Sequence, residues 1–171
     1  MTGVTGVKGV EAVRGENGGR IVVGVDGSEP SLKALRWAAG QAALTGDALH
    51  AVISWEYPAT WATALPGVPP EFEPEQIAKK ILDESLAKAL DPDTAAATTR
   101  TVVPGNPAQT LIELAEGASL LVVGDRGYSG FKAAFMGSVS TNVAQHAPCP
   151  VVVVRGRTAD APPTTCHPTA A

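Results

Sequence analysis

Cysteine is nearly absent from this chain. Two cysteines stand among 171 residues, Cys149 between Pro148 and Pro150 and Cys166 in a polar stretch. That is too few for the disulfide frame of a small secreted fold. Histidine is scarce as well, and neither His50 nor His146 has a partner at metal-ligand spacing, so no zinc or histidine-centred catalytic site is indicated. Positive charge is short: 13 Lys and Arg face 17 Asp and Glu, and no basic stripe is present to neutralise nucleic-acid phosphates. The adjacent pair Lys79-Lys80 has Glu75, Asp83 and Glu84 as helix neighbours and reads as a solvated face. No apolar run approaches the ~20 residues of a membrane span, and no charged, apolar, cleavable leader pattern opens the sequence. The expectation is a cytoplasmic protein with reduced thiols and neither a nucleic-acid nor a membrane partner.

Several nucleotide-binding signatures are missing too. A P-loop needs GxxxxGK[ST], and no Gly-Lys dipeptide occurs. The dinucleotide fingerprint needs GxGxxG after the first strand, where this chain has GVDGSEP. A phosphoacceptor receiver would place several acids near that strand and a lysine after the last one. Here Asp26 stands alone and Arg155 takes the second place. The His-x-Gly-His motif of nucleotidyltransferases is absent as well.

Short apolar runs and amphipathic segments alternate through the middle of the chain. Ile21–Val25 is fully apolar and leads into the turn Asp26-Gly27-Ser28. Leu32, Leu35, Ala39 and Ala42 then recur at spacings of three and four, which predicts a helix ending near Gly46. A second strand fits Ala48–Ser54, followed by a proline-rich connection containing Trp55, Tyr57 and Trp61. These aromatics are expected to pin the connection to the body. Gln76–Leu90 predicts a second helix with Ile77, Ile81, Leu82, Leu86 and Ala89 on its apolar side. The remaining units are a strand at Thr98–Val103, a helix at Ala108–Glu116, a strand at Leu120–Val123, a helix at Ser138–His146 and a strand at Val151–Val154. Residues 1–19 and 156–171 lack such periods and read as an arm and a tail around one domain, 20–155. Uniformly apolar strands alternating with amphipathic helices predict a doubly wound α/β domain, with a five-stranded parallel sheet and helices on both faces.

Ligands of such sheets bind beyond the carboxyl ends of the strands, where strand order reverses. The first and fourth strands carry special residues there: Gly24-Val25-Asp26 and Gly124-Asp125-Arg126-Gly127. Asp26 either meets a ribose hydroxyl or closes an Asx-turn. Gly137-Ser138 opens the last helix, with Ser138 expected as its cap and its N–H groups as anion donors. Gly124 and Gly127 would let main chain approach the same anion without a Cβ between. The glycines are therefore read as a phosphate cradle.

The spacing Gly124-x2-Gly127-x9-Gly137-Ser138 resembles the ATP-binding motif of the universal stress protein family. The segments VVGVDGSEPSLKALRWA and GSVSTNVAQHAPCPVVVVR are also similar to that family, and the likeness runs from Ile21 to Arg155. The resemblance implies strand order 3-2-1-4-5 and, in the motif-bearing branch, ATP or a related adenine nucleotide, with any Mg²⁺ held by the phosphates. Carried over by position, Asp26 would hold the ribose or lie along the adenine edge, with Gly24 and Val25 leaving room beside it. Val52 would offer its backbone to the adenine. Gly124, Asp125, Arg126, Gly127, Tyr128, Ser129 and Gly130 would wrap the phosphates, together with Gly137, Ser138, Val139 and Ser140. Arg126 and Lys132 have the charge either for phosphate contact or for a solvated surface. The resemblance also implies a homodimer paired along Val151–Val154, an exposed edge suited to strand pairing.

No constellation of nucleophile, metal ligands and charge stabilisers accompanies the cradle. A regulatory ATP-binding protein, with slow hydrolysis at most, is therefore expected over an ATPase or a nucleotide-free scaffold.

Overall fold

The computed structural model describes residues 15, 18–56, 73–127 and 136–156. Tyr57, Trp61, Tyr128, Ser129, Gly130, Lys132 and Cys166 lie outside these residues, as do most of the expected arm and tail. The elements run in chain order as β1 (Arg20–Gly24), α1 (Glu29–Thr45), β2 (Ala48–Trp55), α2 (Pro74–Ala89), α3 (Pro92–Ala97), β3 (Thr99–Pro104), α4 (Pro107–Leu114), β4 (Leu120–Gly124), α5 (Ser138–His146) and β5 (Val151–Val154). Every strand pairs in parallel, in the order β3-β2-β1-β4-β5. This is the doubly wound fold the alternation predicts.

Two apolar layers sandwich the sheet. Ile21, Val23, Leu35, Ala38, Leu82 and Leu86 belong to the layer under α1 and α2. Val22, Val52, Leu111, Leu121 and Val143 belong to the layer under α4 and α5. Successive β1 residues thus serve opposite layers, as the pleat requires. Ile21, Val22 and Val23 of β1 are buried on both faces of the sheet, which explains the apolar run after Arg20.

Chain chemistry sets the helix ends. Ser28 caps α1 by accepting the Ser31 N–H at 3.4 Å, with Pro30 in the first turn. The helix closes at Gly46, left-handed at φ 72°. Asn106 caps α4 through Oδ1, which accepts from the Ala108 and Gln109 N–H groups at 3.1 and 3.3 Å. The cap of α5 is Gly137 rather than the expected Ser138, which is the first helical residue. Glycine has no side chain to bond the first-turn N–H groups, and α5 has no side-chain cap.

Two further details depart from the periodicity. α3, six residues without a buried side chain, follows α2 in a stretch that gave no helical signal. It is short, and Asp91 sets its start by accepting the Thr94 N–H at 3.0 Å. Ile77 is 45% exposed, while Ala78 is buried against the core in its place. The first turn of α2 is thus rotated from the apolar face that larger side chains suggest.

Candidate functional site

The carboxyl ends of β1, β2 and β4 converge on a cleft of about 130 Å³. β1 lies between β2 and β4, so the chain leaves these strands toward different helices and opens space between the departing loops. Gly24, Val25 and Asp26 enter from the first strand end, Val52 from the second, and Gly124, Arg126 and Gly127 from the fourth. Val139 and Ser140 close it from α5. Ser31, Ser54, Pro107, Leu111 and Val123 also line the cleft, and none of them is among the site residues expected from the sequence. Leu111 and Val123 carried the signal of core positions only, and a core side chain at a sheet end is also the floor of whatever opens there.

Asp26 closes the Asx-turn and also borders the cleft. Its Oδ1 accepts both the N–H (3.0 Å) and the hydroxyl of Ser28, which is an Asx-turn. Its Oδ2 lies toward Gly127, where an added Cβ would come within 3.0 Å of it. The carboxylate is therefore fixed on one side and borders the cleft on the other. Gly27, in the same turn, has φ +82°, a conformation that disfavours any L side chain.

The glycines of the motif divide by function. Gly124 lines the cleft, yet a Cβ on it would stand 2.8 Å from the Pro30 carbonyl carbon and 2.9 Å from Pro30 Cβ. Its smallness lets β4 pass under the first turn of α1. Gly127 is exposed, with Asp26 Oδ2 as its close neighbour, so only here does the missing Cβ keep a polar face of the cleft open. Gly137 donates its N–H to the Asp125 carbonyl at 2.8 Å, and an added Cβ would make only ordinary contacts.

Asp125, Gly137 and Ser138 do not line the cleft, although the sequence placed them with the phosphates. Asp125 is buried and its Oδ1 accepts the Gly156 N–H at 3.1 Å. Ser138 is exposed at the start of α5. Ser140 is buried and donates its hydroxyl to the Gly124 carbonyl at 2.7 Å, tying α5 to the end of β4. Val52, whose backbone is expected to meet an adenine, lines the cleft, and its carbonyl accepts the Val25 N–H at 2.8 Å.

An adenine nucleotide fits the chemistry of these residues. Val25, Val52, Leu111, Val123 and Val139 give an apolar floor for a flat base. Asp26 offers a carboxylate for hydroxyl groups, Arg126 a cation and the uncapped start of α5 its N–H groups. No group of three or more His, Cys, Asp and Glu side chains suited to a metal occurs among the described residues.

His50 lies away from the cleft, in β2, and is 1% exposed. Its Nε2 is 2.7 Å from Thr101 Oγ1 and its Nδ1 is 3.4 Å from Arg20 Nη1. Burial, and then the neighbouring guanidinium, lower its pKa to about 4. It is a neutral acceptor and donor inside the sheet. Among the described residues no helix is long and apolar enough to cross a membrane.

Comparison with known proteins gives one consistent result. Residues 18–155 match the model of the universal stress protein family. A universal stress protein of Mycobacterium tuberculosis is 36% identical over 136 residues, 79% of this chain and 44% of that protein. This chain thus spans about half the length of the Mycobacterium and Mycolicibacterium relatives it matches. Universal stress protein YxiE of Bacillus subtilis is 35% identical over 149 residues, 80% of this chain and 98% of that protein. Among solved structures, a universal stress protein in complex with cAMP is 30% identical with a TM-score of 0.53, covering 80% of this chain and 95% of the other. One from Archaeoglobus fulgidus in complex with dAMP is 25% identical with a TM-score of 0.55, covering 80% and 97%. The fold, the strand order and the matched span agree, and the chain belongs to the universal stress protein family.

Proposed function

We propose that this chain is a regulatory protein that binds an adenine nucleotide, ATP in the first instance, in the cleft at the ends of β1, β2 and β4. One observation carries the reading. An apolar floor, the Asp26 carboxylate and the Arg126 guanidinium meet in a single cleft beside the exposed Gly127. The cAMP and dAMP complexes of related proteins support it. The base lies on Val25, Val52 and Leu111, and Asp26 accepts hydrogen bonds from the ribose. The phosphates extend past Gly127 toward Arg126 and the start of α5, with Mg²⁺ carried on the phosphates themselves. Nucleotide occupancy then sets how the protein meets its partners, the first being a second copy of the chain along β5. β5 is a sheet edge with four half-buried valines, and pairing would cover its open backbone groups.

Calorimetric titration of ATP with Mg²⁺ into the full chain, stripped of co-purified nucleotide, tests the proposal. Binding in the micromolar range is expected for wild type. It should be lost in Gly127→Val, whose branched side chain would crowd Asp26 Oδ2. The variant's fold is checked by circular dichroism. Absence of heat and of thermal shift with wild type would overturn the nucleotide reading.

A further inference from the structure

Asp125 stands inside the glycine motif, yet it reaches away from the cleft. At 7% exposure its carboxylate is withdrawn from water, a position an acid holds only when its oxygens are bonded. Oδ1 accepts the Gly156 N–H at 3.1 Å, and Oδ2 stands 3.6 Å from Arg126 Nε. The main chain of the same residue donates to the Val154 carbonyl at 2.9 Å and accepts from the Gly137 N–H at 2.8 Å. One residue thereby ties together the last residue of β5, the chain leaving it, the cap of α5 and the cation of the cleft. Gly156 also lies close to Pro30: an added Cβ would stand 3.2 Å from Pro30 Cγ and 3.7 Å from Asp125 Oδ1.

We propose that Asp125 is a positioning residue that couples occupancy of the cleft to the outer edge of the sheet. This rests on the adenine-nucleotide reading of the cleft. A nucleotide held between Gly127, Arg126 and α5 fixes the segment Gly124–Gly127 against Gly137. Through Asp125 that same arrangement fixes Val154 and Gly156. The bracket is selective because its contacts need one loop conformation. A ligand favouring that conformation orders the end of β5, and linkage requires an ordered end of β5 to favour the ligand by the same factor.

Hydrogen exchange of the full chain, with and without Mg²⁺-ATP, tests this on wild type, Asp125→Ala and Asp125→Asn. The asparagine keeps an oxygen that can accept from Gly156, and the alanine does not. In wild type, ATP should slow exchange in 124–127 and equally in 153–156. In Asp125→Ala the protection of 153–156 by ATP should vanish, with affinity for ATP about tenfold weaker. Asp125→Asn should restore both. A purely structural role would raise exchange throughout Asp125→Ala but leave the ATP-dependent change at 153–156 in place. Protection of 124–127 without any change at 153–156 in wild type would overturn the coupling, even if the alanine variant fails to fold. No change in either region would instead reject the nucleotide reading, and the coupling with it.

Discussion

His50 and Gly124 each take their meaning from the neighbours packed against them. His50 is neutral because burial and Arg20 oppose a second proton. Its folded pKa of about 4 lies below the ordinary 6.5, so between these values the unfolded chain binds a proton that the folded one refuses. Stability is therefore full above pH 6.5 and declines as pH falls toward 4, by about 2 kcal/mol between pH 7 and pH 5. Urea unfolding at those two pH values should show that loss in wild type, and His50→Gln should show a visibly smaller one. Gly124 is the second case. Its absent Cβ is demanded by the backbone of Pro30, so Gly124→Ala should lower stability by about 1–3 kcal/mol, the range for overpacking. A shift of the urea midpoint below experimental error would show that α1 yields instead. The sequence made this glycine visible but not its reason, because Pro30 lies far away along the chain. Asp125 was hidden in the same way: its partner Gly156 is 31 residues on, and an isolated Asp in a glycine loop reads as a ligand before it reads as a bracket.

At the scale of elements, the helices were legible where apolar spacing and caps agreed. α1 has both, with Leu32, Leu35 and Ala42 buried and Ser28 at its start. α3 has a cap, Asp91, whose acidity the Thr94 N–H increases, but no apolar stripe to signal it. α4 is short, so its cap matters more. Asn106→Ala removes the acceptor for two N–H groups and should cost about 1 kcal/mol, measurable by thermal unfolding. Because Pro107 and Leu111 border the cleft, an equal loss with unchanged ATP affinity would show that α4 keeps its place even when its end frays.

For the molecule as a whole, the parallel sheet covered on both faces is legible from pattern, whereas the strand order β3-β2-β1-β4-β5 is what the family resemblance implies and the structure shows. The cleft was half legible. Residues that break the apolar pattern, such as Asp26 and Gly127, announce themselves, whereas Leu111 and Val123 look like any helix or strand interior. Quaternary structure belongs to this scale. If β5 pairs with a second copy as proposed, sedimentation of wild type should give a dimer. Val152→Lys, which sets a charge on that edge, should give a folded monomer. A wild type that sediments as a monomer at all accessible concentrations would reject the pairing.

The position of β1 has a consequence for how the chain acquires its shape. Made early, β1 sits at the centre of the sheet, and its β4 neighbour arrives much later: Arg20 bonds Ser119 across 99 residues. Closing so wide a loop costs entropy before any contact repays it, so folding should be slow for a domain of this size. The cleft lies at that same seam and cannot exist until β4 has docked on β1. Whatever binds there recognises completed molecules alone, and by mass action withdraws them from the unfolding equilibrium.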